Sequence, residues 1–415
     1  MDKSVLVIGG GVAGITAALK LANSGVRVVL VEKSPELGGA VVSYCCKATE
    51  QCNKCSVCVA NQKMEELWSA PNLSLFTSSA IGKVARGEGG FHITVTRKPT
   101  YVDDNKCVRC KLCTEKCPTK PSSIFLPPPH SPLQSYVIDT DRCLYFQSKK
   151  CKLCQEVCPA EAINLSQKAG EENFQVGALV VASGFSPFDS SRKKRYGYGV
   201  YPDVITALEL EEQLRIEGKL SRPSDGSQPK QVAFIQCFGS RDAHVGNNYC
   251  SRVCCTYTMR LANLLKFKHP DSSITIFYMD IQTFGKEFEQ FYQQCRQKIQ
   301  FIRDMPSLIQ QDGDNQLLIT YQDRKEGKVE QSNFDLAVLS VGLCPGEDTE
   351  KLVELLGLQT NEHGFFKSLS PLQTNETEAE GIFLAGTCQG PRDISESVAH
   401  SLGAAEKALA YLGAE

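Results

Sequence analysis

The sequence has almost no net charge. Its 45 Lys and Arg residues are matched by 47 Asp and Glu, a balance of −2 at neutral pH. A dedicated nucleic-acid binder needs a strongly basic face to meet phosphates, so that class of function is excluded. Uninterrupted apolar runs of about 18 residues are also missing, which leaves no candidate for a spanning helix. Any membrane role has to come through a partner. Nor does the chain open on a cationic, hydrophobic, cleavable leader, since a buried-strand pattern stands there instead. The expected location is cytoplasmic. With 42% hydrophobic and 22% charged residues, disorder and collagen-like repeats are ruled out as well.

What the chain has in quantity is cysteine, 20 residues in 415. They are too dilute for a small disulfide scaffold and point instead to metal or redox chemistry. At roughly 100–200 residues per domain, the length accommodates two or three domains. The stretch from Ser4 to Leu19 reads as a short apolar strand, a glycine-rich turn and a helix reaching about Ser24; a strand from Val26 to Val31 then ends at Glu32. This is a βαβ unit. A cysteine-dense loop, Cys45 to Cys58, leads to a helix over about Gln62 to Trp68 and to alternating strand patterns such as Phe91 to Thr96. From Lys106 to Pro159 short segments are punctuated by cysteine and by Pro118, Pro121 and Pro127 to Pro129, the pattern of an insertion.

Strand character returns from Val176 to Gly184, and Arg222 to Pro229 is a turn-rich linker. A second α/β segment runs from Gln231 to Gly342. A final strand, Gly381 to Gly386, and a helix over about Ser395 to Leu412 rejoin the first domain. The expected division is therefore 1–100, 166–230 and 341–415 for the first domain, 101–165 for the insertion and 231–340 for the second domain.

Gly9, Gly11 and Gly14 form G-x-G-x-x-G between a strand and a helix, and Glu32 ends the next strand. That turn lets backbone N–H groups and a helix N-terminus meet a pyrophosphate, while the carboxylate can accept from ribose hydroxyls. The bland alternative is a glycine turn in an α/β domain with no ligand. Glu32-Lys33 followed by Leu37-Gly38-Gly39 resembles the amino-terminal motif of flavoprotein disulfide-reductase-like enzymes. Their second flavin motif is matched by Ile382 to Thr387, including Gly386, and their crossover strands by Ala182-Ser-Gly184 and Ser340-Val-Gly342. This likeness selects FAD over NAD. In the second α/β segment Ile235 to Asp242 offers only a lone Gly239, so direct NAD(P)H binding is not expected.

Cys107-x2-Cys110-x2-Cys113-x3-Cys117-Pro118 is the bacterial ferredoxin run, and Cys143-x7-Cys151-x2-Cys154-x3-Cys158-Pro159 is its partner with a longer first gap. Because the cysteine before proline serves the neighbouring cube, one [4Fe–4S] cluster is assigned to Cys107, Cys110, Cys113 and Cys158, the other to Cys143, Cys151, Cys154 and Cys117. Zinc sites lack this rhythm. Cys250-x3-Cys254-Cys255, with Cys237 on the preceding strand, suits a third cluster, the alternative being buried inert thiols. Cys52, Cys55 and Cys58, with Cys45 or Cys46, are candidates for a fourth, against structural or redox-active thiols. Cys295, Cys344 and Cys388 stand alone and read as core.

In combination these motifs resemble the A subunit of heterodisulfide reductase, and also that of the quinone-interacting membrane-bound oxidoreductase. The further stretches that carry the likeness are Tyr249 to Cys255, Phe277 to Gly285 and Phe383 to Asp393. The resemblance implies a thioredoxin-reductase-like FAD protein of two Rossmann-like domains with an inserted two-cluster ferredoxin domain. It implies an electron-transfer protein that acts with iron–sulfur partners of the B and C type and with ferredoxin or another redox protein, as a homodimer in a larger complex. In some members the flavin splits an electron pair between two acceptors. The catalytic candidate is Arg260, where the family usually has lysine near the flavin; arginine stays protonated and cannot relay a proton as lysine can. A non-bifurcating relay of a quinone-interacting complex and a redox-sensing scaffold are the competing readings.

Overall fold

The computed structural model describes residues 2–127, 135–283, 285–312, 315–323 and 326–413. Pro128, Pro129 and Phe284, named among the sequence signals, lie outside these residues. The first sheet is parallel throughout, in the order Ile382–Leu384, Ala178–Val181, Ser4–Ile8, Arg27–Val31, Leu73–Phe76. Strands covered on both faces read as unbroken apolar runs, which is why Ser4–Ile8 and Ala178–Val181 are buried at every residue. The helix Val12–Asn23 shares its core with Ile394–Leu412 through Ala17, Ala18, Ala404, Ala405 and Ala408, small residues that let the two helices approach closely. Asp393 caps the latter helix by accepting from the Glu396 N–H, and Glu396 accepts in return from the Asp393 N–H.

The second sheet is also parallel, ordered Val204–Thr206, Leu336–Val341, Gln231–Phe238, Ser273–Phe277, Gln300–Ile302. Antiparallel three-stranded sheets accompany each, Ser79–Gly87 with Gly90–Arg97 and Gly170–Val176 on the first side, and Leu308–Gln311, Leu317–Asp323 and Lys328–Phe334 on the second. A two-stranded ribbon, Phe185–Pro187 against Leu343–Pro345, joins the two halves. This is the thioredoxin-reductase-like α/β architecture, with extra chain in it. The extra chain begins and ends at neighbouring points of one ladder, because Arg97 pairs with Gly170. Everything between those residues can therefore hang from the sheet without disturbing its register. It has a small core of its own, built on Val102, Ile124, Tyr136, Ile138, Ile163 and Leu165 and packed against six of its cysteines. Among the described residues no helix is long and apolar enough to cross a membrane.

The C-terminal strand is tied to its helix through His400. The Gly386 N–H donates to His400 Nδ1 at 2.9 Å, and Asn375 Nδ2 donates to the His400 and Leu384 carbonyls. Burial, helped by the charge of Arg392, lowers the imidazole from 6.5 to about 4. The fold thus favours neutral imidazole, so this residue adds stability above pH 6.5 and withdraws it as pH falls towards 4. Unfolding midpoints measured from about pH 7 to 4 should fall less steeply for His400→Gln than for the parent chain; parallel slopes would contradict this account of the tie.

Candidate functional site

A cavity of about 600 Å³ lies between the two halves. The glycine turn, the crossover ribbon, the C-terminal helix start and the cysteine loop all contribute to its wall. Gly9, Gly11, Glu32, Lys33, Gly39, Gly184 and Thr387 line it. Gly14, Gly342 and Gly386 do not. A Cβ at Gly14 would fall 1.8 Å from the Gly9 carbonyl oxygen, so Gly14 sets the packing of helix on turn. At Gly386 a Cβ would meet that of Ala13 at 2.5 Å, and Gly342 packs against Ser240 and Ser251. Glu32 is buried, with its carboxylate accepting from the Gly10 N–H at 2.5 Å and the Ser34 N–H at 2.7 Å, which orients it at the cavity wall. Lys33 pairs with Asp348 at 2.6 Å, both in the wall.

The turn fits a dinucleotide. It offers the start of the helix Val12–Asn23 to a phosphate, with no side chain on Gly11 to fill the approach. Nothing comparable exists among the described residues of the second half. There a Cβ on Gly239 would lie 2.0 Å from the Phe188 ring, so an aromatic side chain occupies the space beside the strand end where a second phosphate loop would have to open.

The cysteine-bearing helix Cys254–Lys268 forms the opposite wall through Thr256, Tyr257 and Arg260. Arg260 Nη2 donates to the Lys54 carbonyl at 2.8 Å, and its buried Nε has no partner among the described residues. Burial lowers its pKa, opposed by Cys55, Asp393 and Cys52. Cys237, Cys254 and Cys255 are buried and Cys250 is partly so. Burial pushes Cys237 up to about 12 and Cys255 up to about 11, and holds Cys254 well above the ordinary thiol range; each is raised again by its fellow cysteines. Four thiols thus converge where the buried ones cannot ionise without a compensating positive centre, the donor set an iron–sulfur cluster satisfies. The Arg252 N–H already points at Cys250 Sγ, 3.3 Å away, and the Gln282 N–H at Cys255 Sγ, 3.4 Å away.

In the insertion, Cys107, Cys110 and Cys113 surround a small cavity together with Cys158 from the other run. Cys154 is raised to about 11 by burial and then by Cys143 and Cys151, which places those three together. Cys117 is lowered to about 7: burial acts to raise it, but hydrogen bonds from Thr119 and Ser122 prevail, and Thr119 Oγ1 lies 3.2 Å from its sulfur. Among the described residues no three Cys, His, Asp or Glu side chains form a single-ion metal site. Of the N-terminal cysteine block, Cys55 stands in the wall of the large cavity, while Cys45 is turned away into the core.

Sequence reasoning missed two features. Arg392 lines the cavity and donates to the Gly386 and Gly390 carbonyls at 3.1 Å, and its only signal was its place in the stretch Phe383 to Asp393. Lys47 and Glu211, 164 residues apart, form an ion pair of 2.6 Å with side chains only 3% and 6% exposed. No local pattern could have announced it.

Residues 4–73 match the family described as FAD dependent oxidoreductase. Thioredoxin reductases share the fold across almost the whole chain: that of Lactococcus lactis at TM-score 0.55 and 17% identity, covering 99% of both chains, and that of T. acidophilum at 0.54 and 13%, covering 99% of this chain and 97% of its own. The class is thus a two-domain flavoprotein fold of the FAD-dependent oxidoreductases. Within it, the chain is 39% identical over 98% of its length to the iron-sulfur A subunit of the CoB--CoM heterodisulfide reductase of Methanocaldococcus jannaschii. It is equally close, at 39% over 98%, to the A subunit of the H(2):CoB-CoM heterodisulfide,ferredoxin reductase of Methanothermobacter thermautotrophicus. Along almost its whole length the chain is similar to heterodisulfide reductase A subunits, and it spans 64% of the length of these two relatives.

Removing one partner of a buried ion pair strands the other charge, at a cost of about 3–5 kcal/mol. Lys47→Met should therefore lower the free energy of denaturant unfolding by about that amount, while Lys47→Met with Glu211→Leu recovers much of the loss. A loss below about 1 kcal/mol in the single variant would show that the pair is solvated, contrary to the structure.

Proposed function

We propose that this chain binds one FAD in the large cavity and passes electrons between it and [4Fe–4S] clusters held by its own cysteines, as the flavin-bearing part of a heterodisulfide-reductase-like complex. The observation that carries the reading is the shared cavity: the glycine turn forms one wall, and the helix that begins at Cys254 and Cys255 forms the other. Flavin, when bound, supplies the exchange between two-electron and one-electron transfer. The protein supplies placement. Gly9, Gly11 and the helix start receive the pyrophosphate, Glu32 the ribose, and Gly39, Gly184 and Thr387 complete the wall.

Cys237, Cys250, Cys254 and Cys255 hold a cluster on the second domain's side of the cavity. Cys107, Cys110, Cys113 and Cys158, and Cys143, Cys151, Cys154 and Cys117, hold the two of the insertion. Arg260 keeps a fixed positive charge in the cavity wall and closes the wall against the Lys54 carbonyl. The names of relatives include ferredoxin beside the heterodisulfide, which supports an iron–sulfur partner and an electron pair divided between two acceptors. Subunits of the B and C type, a second copy of the chain and a cytoplasmic setting complete the proposal.

Anaerobically purified protein should contain one FAD and at least about 12 irons per chain, at four per cluster. NADH alone should leave the flavin oxidised on the timescale of mixing. Cys254→Ser should lose about four irons, retain FAD and lose turnover with its partner proteins. Substoichiometric flavin, or bound zinc with about four irons or fewer, would overturn the proposal.

A further inference from the structure

The loop Cys52–Cys58 repeats the backbone of the ferredoxin run. In Cys107–Cys113 the residue before the second cysteine, Arg109, has φ +55°, and the residue after it, Lys111, has φ +68°. In Cys52–Cys58 those places are held by Lys54 at +50° and Ser56 at +61°. A helix then starts two residues after the second cysteine in both loops, Leu112–Glu115 carrying Cys113 and Val57–Trp68 carrying Cys58. None of these four left-handed residues is Gly, Asn or Asp, the types that enter that region at little cost. The third set supplies the same turn, since Arg252, two residues after Cys250, has φ +63°. Its effect is visible at the sulfur. The Lys54 N–H lies 3.4 Å from Cys52 Sγ, as the Arg252 N–H lies 3.3 Å from Cys250 Sγ. Amides aimed at the sulfurs are the donors that hydrogen-bond to cluster ligands.

A three-cysteine loop needs a fourth ligand, and two adjacent cysteines compete for that place. Cys45 is buried with Leu210 and Leu214, and its N–H donates to Glu211 at 2.8 Å. Its side chain is packed among apolar residues of the core, away from the loop's other cysteines. Cys46 is exposed. The segment that follows it is fastened to the loop by Asn53 Nδ2, which donates to the Lys47 carbonyl at 2.7 Å. We infer that Cys46, Cys52, Cys55 and Cys58 hold a further [4Fe–4S] cluster against the flavin cavity, a conclusion that rests on the flavin and cluster reading above. Cys55 lines the cavity, and Arg260 fastens the loop to the cysteine-bearing helix through the Lys54 carbonyl. Arg260 is in this light a positioning residue, joining two cluster loops across one cavity.

The test is iron, sulfide and FAD analysis of the anaerobically purified full chain, with electron paramagnetic resonance after reduction. Cys46→Ser and Cys55→Ser should each lose about four irons relative to the parent and one reduced-cluster signal, at unchanged FAD. Cys45→Ala should keep all its iron. Full iron content and unchanged spectra in Cys55→Ser would overturn the site. Loss of iron in Cys45→Ala, with none in Cys46→Ser, would overturn the choice of fourth ligand. Should Cys55→Ser fail to fold, judged by lost FAD, Cys58→Ser provides the same readout. A parent chain without iron or FAD would instead defeat the wider reading.

Discussion

The two-stranded ribbon between Phe185–Pro187 and Leu343–Pro345 is the constraint on which the site depends. Each strand of that ribbon follows a core strand of a different sheet: Phe185 continues from Ala178–Val181, and Leu343 from Leu336–Val341. Pairing them fixes how the two parallel sheets face each other. The C-terminal ends of the strands in both sheets then meet across one cavity, as expected where α/β sheets bind their ligands. With that pairing in place, a glycine turn belonging to one sheet and a cysteine-bearing helix belonging to the other become opposite walls of one space. Chemistry written in distant parts of the sequence is brought within one site by three residue pairs.

Much of the fold was legible because its signals are local. The glycine turn, the strand before it and Glu32 lie within one βαβ unit, and the ferredoxin runs specify their loops residue by residue. In the structure Cys158 stands with Cys107, Cys110 and Cys113 around one small cavity. What could not be read is set by pairing between distant residues. The insertion is tolerated because Arg97 and Gly170 are ladder partners, and sequence alone does not give a register. The helix expected from Gln62 begins at Val57, because Ser56 adopts a left-handed conformation that no propensity rule foresees. Lys47 and Glu211 are charged residues in loop and helix patterns that would ordinarily be assigned to the surface, yet they meet at the cavity wall.

The burial of thiols gives the molecule its chemical direction. An isolated thiol such as Cys295 or Cys388 is raised by burial, to about 12 and about 11, and behaves as a small apolar side chain. Cys237, Cys254 and Cys255 are raised for the same first reason, but other cysteines beside them raise them again. Solitary burial costs little; clustered burial beside amides aimed at the sulfurs is an arrangement that a bound cationic centre completes.

The central claim is that one cavity brings a flavin face to face with a cluster held by the second domain. Diffraction from anaerobically grown crystals of the intact chain, with anomalous data collected at the iron edge, tests it most directly. The account predicts flavin density in the cavity between the Gly9–Gly11 turn and Arg260, and an anomalous peak among Cys237, Cys250, Cys254 and Cys255. Flavin density in that cavity with no iron at those four cysteines would contradict it.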